Sequence, residues 1–166
     1  ELATEVINSF EKKYEEKWLN MMRKKLGLLH IENKDKYLIL DLLTWMHQKG
    51  VDYTNTFCHL MNFKINNDKN FKDDNFQSWK KRWQERLKIN NNASGKHINL
   101  MKSVNPLVIP RNHKVEEVLS EANKSNMEPF KKLLNILKNP YSEQSDIKEY
   151  QIPSTKNEKY QTFCGT

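Results

Sequence analysis

Glycine and proline are scarce, four and five in 166 residues. That excludes the turn-dense chemistry of a β-sandwich and favours long uninterrupted helices. Cysteine is scarcer still: two thiols cannot build a disulfide framework, so a reducing compartment is the default. No apolar run approaches the ~20 residues needed to span a bilayer, and the N-terminal residues show no signal-peptide pattern. The net charge of +7 is spread rather than concentrated. Basic residues alternate with acidic ones, as in Glu11-Lys12-Lys13-Tyr14-Glu15-Glu16-Lys17, and no basic arm or stripe stands ready to track a phosphate backbone. Neither a membrane nor a nucleic acid is an expected partner. The chain begins without methionine and already inside a helical pattern, so a fragment of a longer protein is expected.

The residues present describe one all-α domain of ordinary size, an irregular bundle of about six helices followed by an extended C-terminal tail. Val6, Ile7, Phe10, Tyr14, Trp18, Met21 and Met22 recur every three or four positions and predict a long amphipathic helix from Thr4 to Leu26, closed by Gly27. A second helix, from about Lys34 to Gln48, is apolar on most sides and is expected at the centre. Asp52 is placed to cap a third helix carrying Phe57, Cys58, Leu60 and Met61. Phe76, Trp79, Trp83 and Leu87 form one stripe of a fourth, and at that spacing the tryptophans read as core rather than as base-stacking platforms. A short helix near His97–Met101 precedes Pro106. Helices over Arg111–Ala122 and Met127–Leu137 follow, with Pro129 in the first turn of the last. The helical domain is expected over 1–140 and the tail over 141–166.

Motifs for chemistry are mostly missing. The loop from Asn66 to Asn75 offers carboxylates, but it lacks the turn glycine and terminal glutamate of a calcium loop. The five histidines never fall at the i, i+4 spacing of a helical zinc site. Cys58-His59 points its two side chains apart on a helix, and no glycine-rich phosphate loop or nucleophile elbow is present. What remains is the last third, where Val104-Asn105-Pro106-Leu107-Val108-Ile109-Pro110-Arg111-Asn112 and Asn139-Pro140-Tyr141-Ser142-Glu143-Gln144 bracket a helical hairpin leading to Cys164. Arg111 opens a helix, where a cation opposes the dipole, so it calls for a carboxylate or carbonyl partner or else a ligand. Tyr141, Glu143 and Gln144 read as pins for a tail behind a proline-ended helix. Cys164, near the chain end, is either a stray surface thiol or one that exchanges with another.

Those two proline-centred segments, together with Gly50-Val51-Asp52-Tyr53-Thr54, Met22-Arg23-Lys24-Lys25-Leu26-Gly27-Leu28 and Trp79 through Arg86-Leu87, resemble the C-terminal part of the selenoprotein O family of pseudokinase-like protein adenylyltransferases. Cys164-Gly165-Thr166 is similar to that family's ending, a cysteine or selenocysteine followed by two small residues, commonly serines. Pro110 stands where an aliphatic residue is commoner. The resemblance implies a parent enzyme with a kinase-like fold that uses ATP and magnesium to transfer AMP to Ser, Thr or Tyr hydroxyls of protein substrates. It also implies that the nucleotide- and metal-binding residues lie upstream of the matched part. On that basis this chain has no catalytic residue and no cofactor of its own; its partner is the upstream kinase-like lobe, and Cys164 is a redox residue. Asp52, Tyr53, Asn105, Pro106, Arg111, Asn112, Asn139, Pro140, Tyr141, Glu143 and Gln144 are then structural anchors. The resemblance places the parent in the cytoplasm of bacteria or the mitochondrion of eukaryotes. The alternative is an autonomous helical module that binds an acidic partner or nucleic acid.

Overall fold

The computed structural model describes residues 2–63, 69–89 and 95–154. Among them the chain is all-α, with no strand. The helices are α1 (Leu2–Lys25), α2 (Asp35–Lys49), α3 (Tyr53–Leu60), α4 (Asp74–Lys88), α5 (Lys96–Val104), α6 (Asn112–Asn123), α7 (Glu128–Lys138) and the single turn α8 (Lys148–Gln151), with a 3₁₀ turn over Lys69–Lys72.

The helix ends follow local chemistry. At the end of α1 the Leu28 amide bonds the Arg23 carbonyl at 2.9 Å and the Gly27 amide bonds that of Lys24 at 3.0 Å, a reciprocal closure that needs a left-handed residue. Gly27 supplies it with φ +71, and a Cβ there would stand 3.0 Å from the His97 carbonyl and 3.1 Å from Met101. The same glycine therefore ends α1 and lets α5 approach it closely. Asp52 caps α3 by accepting the Asn55 amide at 2.8 Å. Asp73, which reads as loop in sequence, caps α4 through the Phe76 amide at 3.4 Å.

The core is aromatic at its centre. Phe76, Trp79 and Trp83 are buried along α4, Trp45 of α2 sits 4.5 Å from Phe76 between ring centroids, and His59 stacks on Phe71 at 3.9 Å. Each indole N–H finds an acceptor: Trp45 on Asp73 at 2.9 Å, Trp79 on the Leu38 carbonyl at 2.8 Å, and Trp83 on the Leu26 carbonyl at 2.9 Å. Burying a tryptophan without such a partner would carry a polar-group penalty. Cys58 is fully enclosed.

Three expectations need adjustment. Helix α2 is not buried all round: Leu38, Ile39, Leu42, Trp45 and Met46 face the core, while Tyr37 and Leu40 face solvent. The single stripe read along α1 splits in two: Met22 is buried and Trp18 partly so, whereas Val6, Ile7, Phe10, Tyr14 and Met21 are exposed. Finally, the chain does not run extended from residue 141. It turns at Pro140 and then forms α8, with Ile147 and Tyr150 buried. Ile147 and Tyr150 stand at i, i+3, the spacing that puts both on one face of a turn.

Candidate functional site

The two proline segments meet. The Leu107 amide donates to the Pro140 carbonyl at 2.7 Å, so the backbone following Pro106 lies against the end of α7. Around this junction, polar side chains from five separate stretches bond one another.

Asn105 is buried where α5 ends. Its Nδ2 donates to the Lys25 carbonyl at 2.9 Å and its Oδ1 accepts from Lys25 Nζ at 3.1 Å. One amide thereby satisfies both an end carbonyl of α1 and the ammonium in its last turn. Lys25 Nζ also lies 4.9 Å from the Phe57 ring centroid and 5.4 Å from that of Tyr53, within cation–π range. Burial pulls the Lys25 ammonium below its ordinary value. Tyr53 packs edge-on against Phe57 at 5.0 Å and directs its hydroxyl to Met22 Sδ at 3.4 Å.

On the other side of the junction the bonds run in a chain. Gln151 Nε2 donates to the Leu107 carbonyl at 2.9 Å, and Asn55 Nδ2 donates to the Gln151 carbonyl at 3.0 Å. Arg111 Nη2 donates to Asn55 Oδ1 at 3.3 Å, and the Arg111 fork closes on Asp52 at 2.8 and 2.9 Å. The cation at the start of α6 is thus neutralised by the carboxylate that caps α3. Burial alone would raise the Asp52 carboxyl, but the Arg111 bonds and the Asn55 amide outweigh it and hold the group below its ordinary value. Gln144 Nε2 donates to the Ile136 carbonyl at 3.1 Å and the Asn139 carbonyl at 2.9 Å, closing α7. Asn112, Tyr141 and Glu143 face solvent, and Cys164 lies outside the described residues.

Sequence reasoning missed Lys25, Asn55 and Gln151 as members of this clamp. It also missed a second polar centre. Asp35, fully enclosed in the first turn of α2, accepts from Arg23 Nε at 2.9 Å, Arg86 Nε at 2.7 Å and the Glu32 amide at 3.0 Å. Arg86 Nη2 reaches the His30 carbonyl at 2.6 Å. Burial pushes Asp35 up, and the Arg86, Glu32 and Arg23 bonds together bring it below its ordinary value. Arg23 and Arg86 both stand in stretches that carried the family resemblance; Asp35 gave no signal beyond its place in a helix's first turn.

The polar side chains of this clamp are engaged with one another or with backbone carbonyls. Among the described residues, no group of three or more His, Cys, Asp or Glu could hold a metal ion. Next to the clamp, the Cys58 Sγ lies 3.5 Å from the Pro106 carbonyl, and burial, reinforced by the Asp52 charge, pushes its thiol up to about 12. Such a thiol holds almost no thiolate at neutral pH. In a Cys164→Ser variant, iodoacetamide at pH 8 is expected to leave Cys58 unmodified in the native protein and to alkylate it within minutes in urea, as read by intact mass.

With this geometry in place, comparison with known proteins assigns the chain. The family model described as protein adenylyltransferase SelO matches residues 1–138. The chain belongs to the SelO family. It is similar to proteins named protein nucleotidyltransferase YdiU: 51% identical to that of Pelagibacter ubique over 99% of this chain and 34% of the relative. It is 44% identical to that of Alcanivorax borkumensis over 100% of this chain and 35% of the relative, and 42% identical to one from Clostridium perfringens over 99% and 34%. The SelO-family chain therefore spans about a third of the length of these curated relatives. No helix among its described residues is long and apolar enough to cross a membrane.

Proposed function

We propose that this chain is the non-catalytic helical region of a protein adenylyltransferase. The whole enzyme uses ATP and magnesium to transfer AMP to Ser, Thr or Tyr hydroxyls of protein substrates, and the helical region buttresses its kinase-like lobe. One observation supports the reading above others: Lys25, Asp52, Asn105 and Arg111 of the family-like segments are bonded within the helical body, two of them through Asn55. Lys25–Asn105 ties α1 to the end of α5, and Asp52–Arg111–Asn55–Gln151 ties α3, α6 and α8 together. Side chains spent on each other in this way position a scaffold and leave nucleotide chemistry to the two thirds of the enzyme outside this chain. In this reading the protein works in the bacterial cytoplasm, and Cys164 serves as a redox residue toward a thiol elsewhere in the parent.

The test is transfer from α-phosphate-labelled ATP with magnesium. The full-length parent is expected to label protein hydroxyls, and the 166-residue chain alone is expected to label none. Robust incorporation by the chain alone would overturn the assignment.

A further inference from the structure

We propose that the exposed apolar stripe of α1, from Val6 to Met21, is the docking face for the part of the same polypeptide that lies outside these residues, a surface that is itself apolar with an acidic rim. The proposal rests on the reading that the chain is one region of a larger enzyme. At about 100° per residue, Val6, Phe10, Met21, Tyr14 and Ile7 fall within an arc of about 100°. All five are more than half exposed: 63%, 67%, 51%, 61% and 71% respectively. Trp18, Met22 and Leu26 continue round the helix beyond that arc and meet the core. Single exposed apolar side chains are ordinary, but five on one face mark a contact surface.

The order of the helix argues the same way. A segment of only three or four turns with no packed face is marginal in water, so the first half of α1 calls for a tertiary partner that the described residues do not provide. At the same spacing Lys17 falls between Val6 and Phe10 and Lys24 level with Val6, both exposed, so the Val6 side of the stripe favours carboxylates on whatever covers it.

The occupant follows from area and length. Five side chains of this kind offer on the order of 500 Å². A symmetric pairing of two copies through them alone would bury about 1,000 Å², below the usual range for a specific interface. The relatives, by contrast, continue for about twice the length of this chain, since it covers 34% of them. A contact within one polypeptide also avoids the cost of bringing two molecules together.

Hydrogen exchange on the full-length parent and on the 166-residue chain tests this. Amides of residues 6–17 are expected to exchange at least about tenfold more slowly in the parent. Phe10→Asp is expected to abolish that protection and lower the parent's Tm by several degrees, while leaving the Tm of the isolated chain within a degree. Equal exchange in the two contexts overturns the proposal. So does an isolated chain that dimerises through Phe10 while the parent's exchange is insensitive to the substitution. AMP transfer by the unsubstituted parent, measured on the same preparation, separates failure of the enzymatic reading from failure of the docking face.

Discussion

Asp35→Asn is expected to destabilise the fold by about 4 kcal/mol. The Asp35 side chain has no exposed surface, and the side chains of its partners Arg23 and Arg86 are 12% and 9% exposed. Two guanidinium groups therefore share one carboxylate away from water. An amide keeps one acceptor oxygen but turns an N–H₂ toward the cations, leaving donors facing donors and the positive charges without a counter-ion. Removing one member of a buried set typically costs about 3–5 kcal/mol, because the survivors have been desolvated for nothing. Against a total stability of about 5–15 kcal/mol for a domain, that is a large share. Urea unfolding should show a lower midpoint with an unchanged slope. The Arg82–Asp41 pair, whose side chains are 55% and 48% exposed, supplies the contrast: Asp41→Asn should change the unfolding free energy by less than about 1 kcal/mol. Similar effects at the two sites would mean that Asp35 is not enclosed as described.

The contrast between these aspartates also shows where sequence reading stops. Helices came through clearly because their signals are local: Phe76, Trp79, Trp83 and Leu87 repeat at helical spacing, Asp52 and Gly27 mark ends, and Pro129 marks a start. The pairing of residues distant in sequence did not. Nothing adjacent to Asp35 announces that Arg86, 51 positions away, will reach it. A carboxylate in a helix's first turn is ordinarily a solvated complement to the dipole. Likewise, Asn55 reads as a polar residue on a short helix, and only the return of the chain at Gln151 gives its side chain a role.

Legibility was intermediate at the junction of the proline segments. The unfavourable position of Arg111 at a helix start was visible, and so was its need for a counter-charge, but the identity of that counter-charge depended on α3 and α6 meeting. The turn Lys148–Gln151 within the expected tail is not legible, because a single turn leaves too short a pattern for periodicity to detect. Ile147 and Tyr150 are one pair, and the Gln151 bonds to Leu107 and Asn55 that also hold α8 depend on residues distant in sequence. Along α1 the apolar spacing was legible. Its division between a core-facing half and an uncovered half was not, because a helix records that a face is apolar but not which body covers it.

Arg111→Met should cost about 3 kcal/mol at pH 7, with a pH dependence that identifies the responsible group. In the wild-type protein, burial raises Asp52 and the Arg111 fork and Asn55 amide more than compensate, so its carboxyl sits below the ordinary 3.8. A carboxyl depressed in the folded state binds fewer protons there than when unfolded. Its stabilising contribution is therefore complete above the ordinary value and is lost as pH falls through the depressed one. Methionine preserves much of the side-chain volume and removes the charge, leaving burial opposed only by the helix-cap amides. The Asp52 carboxyl then rises, and the folded variant takes up its proton at a higher pH than the wild type does. The stability gap between the two proteins should accordingly be widest near neutrality and narrow as pH falls from 7 toward 3. Arg111→Lys should recover only part of the loss, since a lysine offers a point charge in place of a two-pronged fork. Urea midpoints across that pH range measure the gap directly. A gap that stays constant with pH would show that the loss comes from packing around the Arg111 stem rather than from the ion pair that ties the start of α6 to the cap of α3.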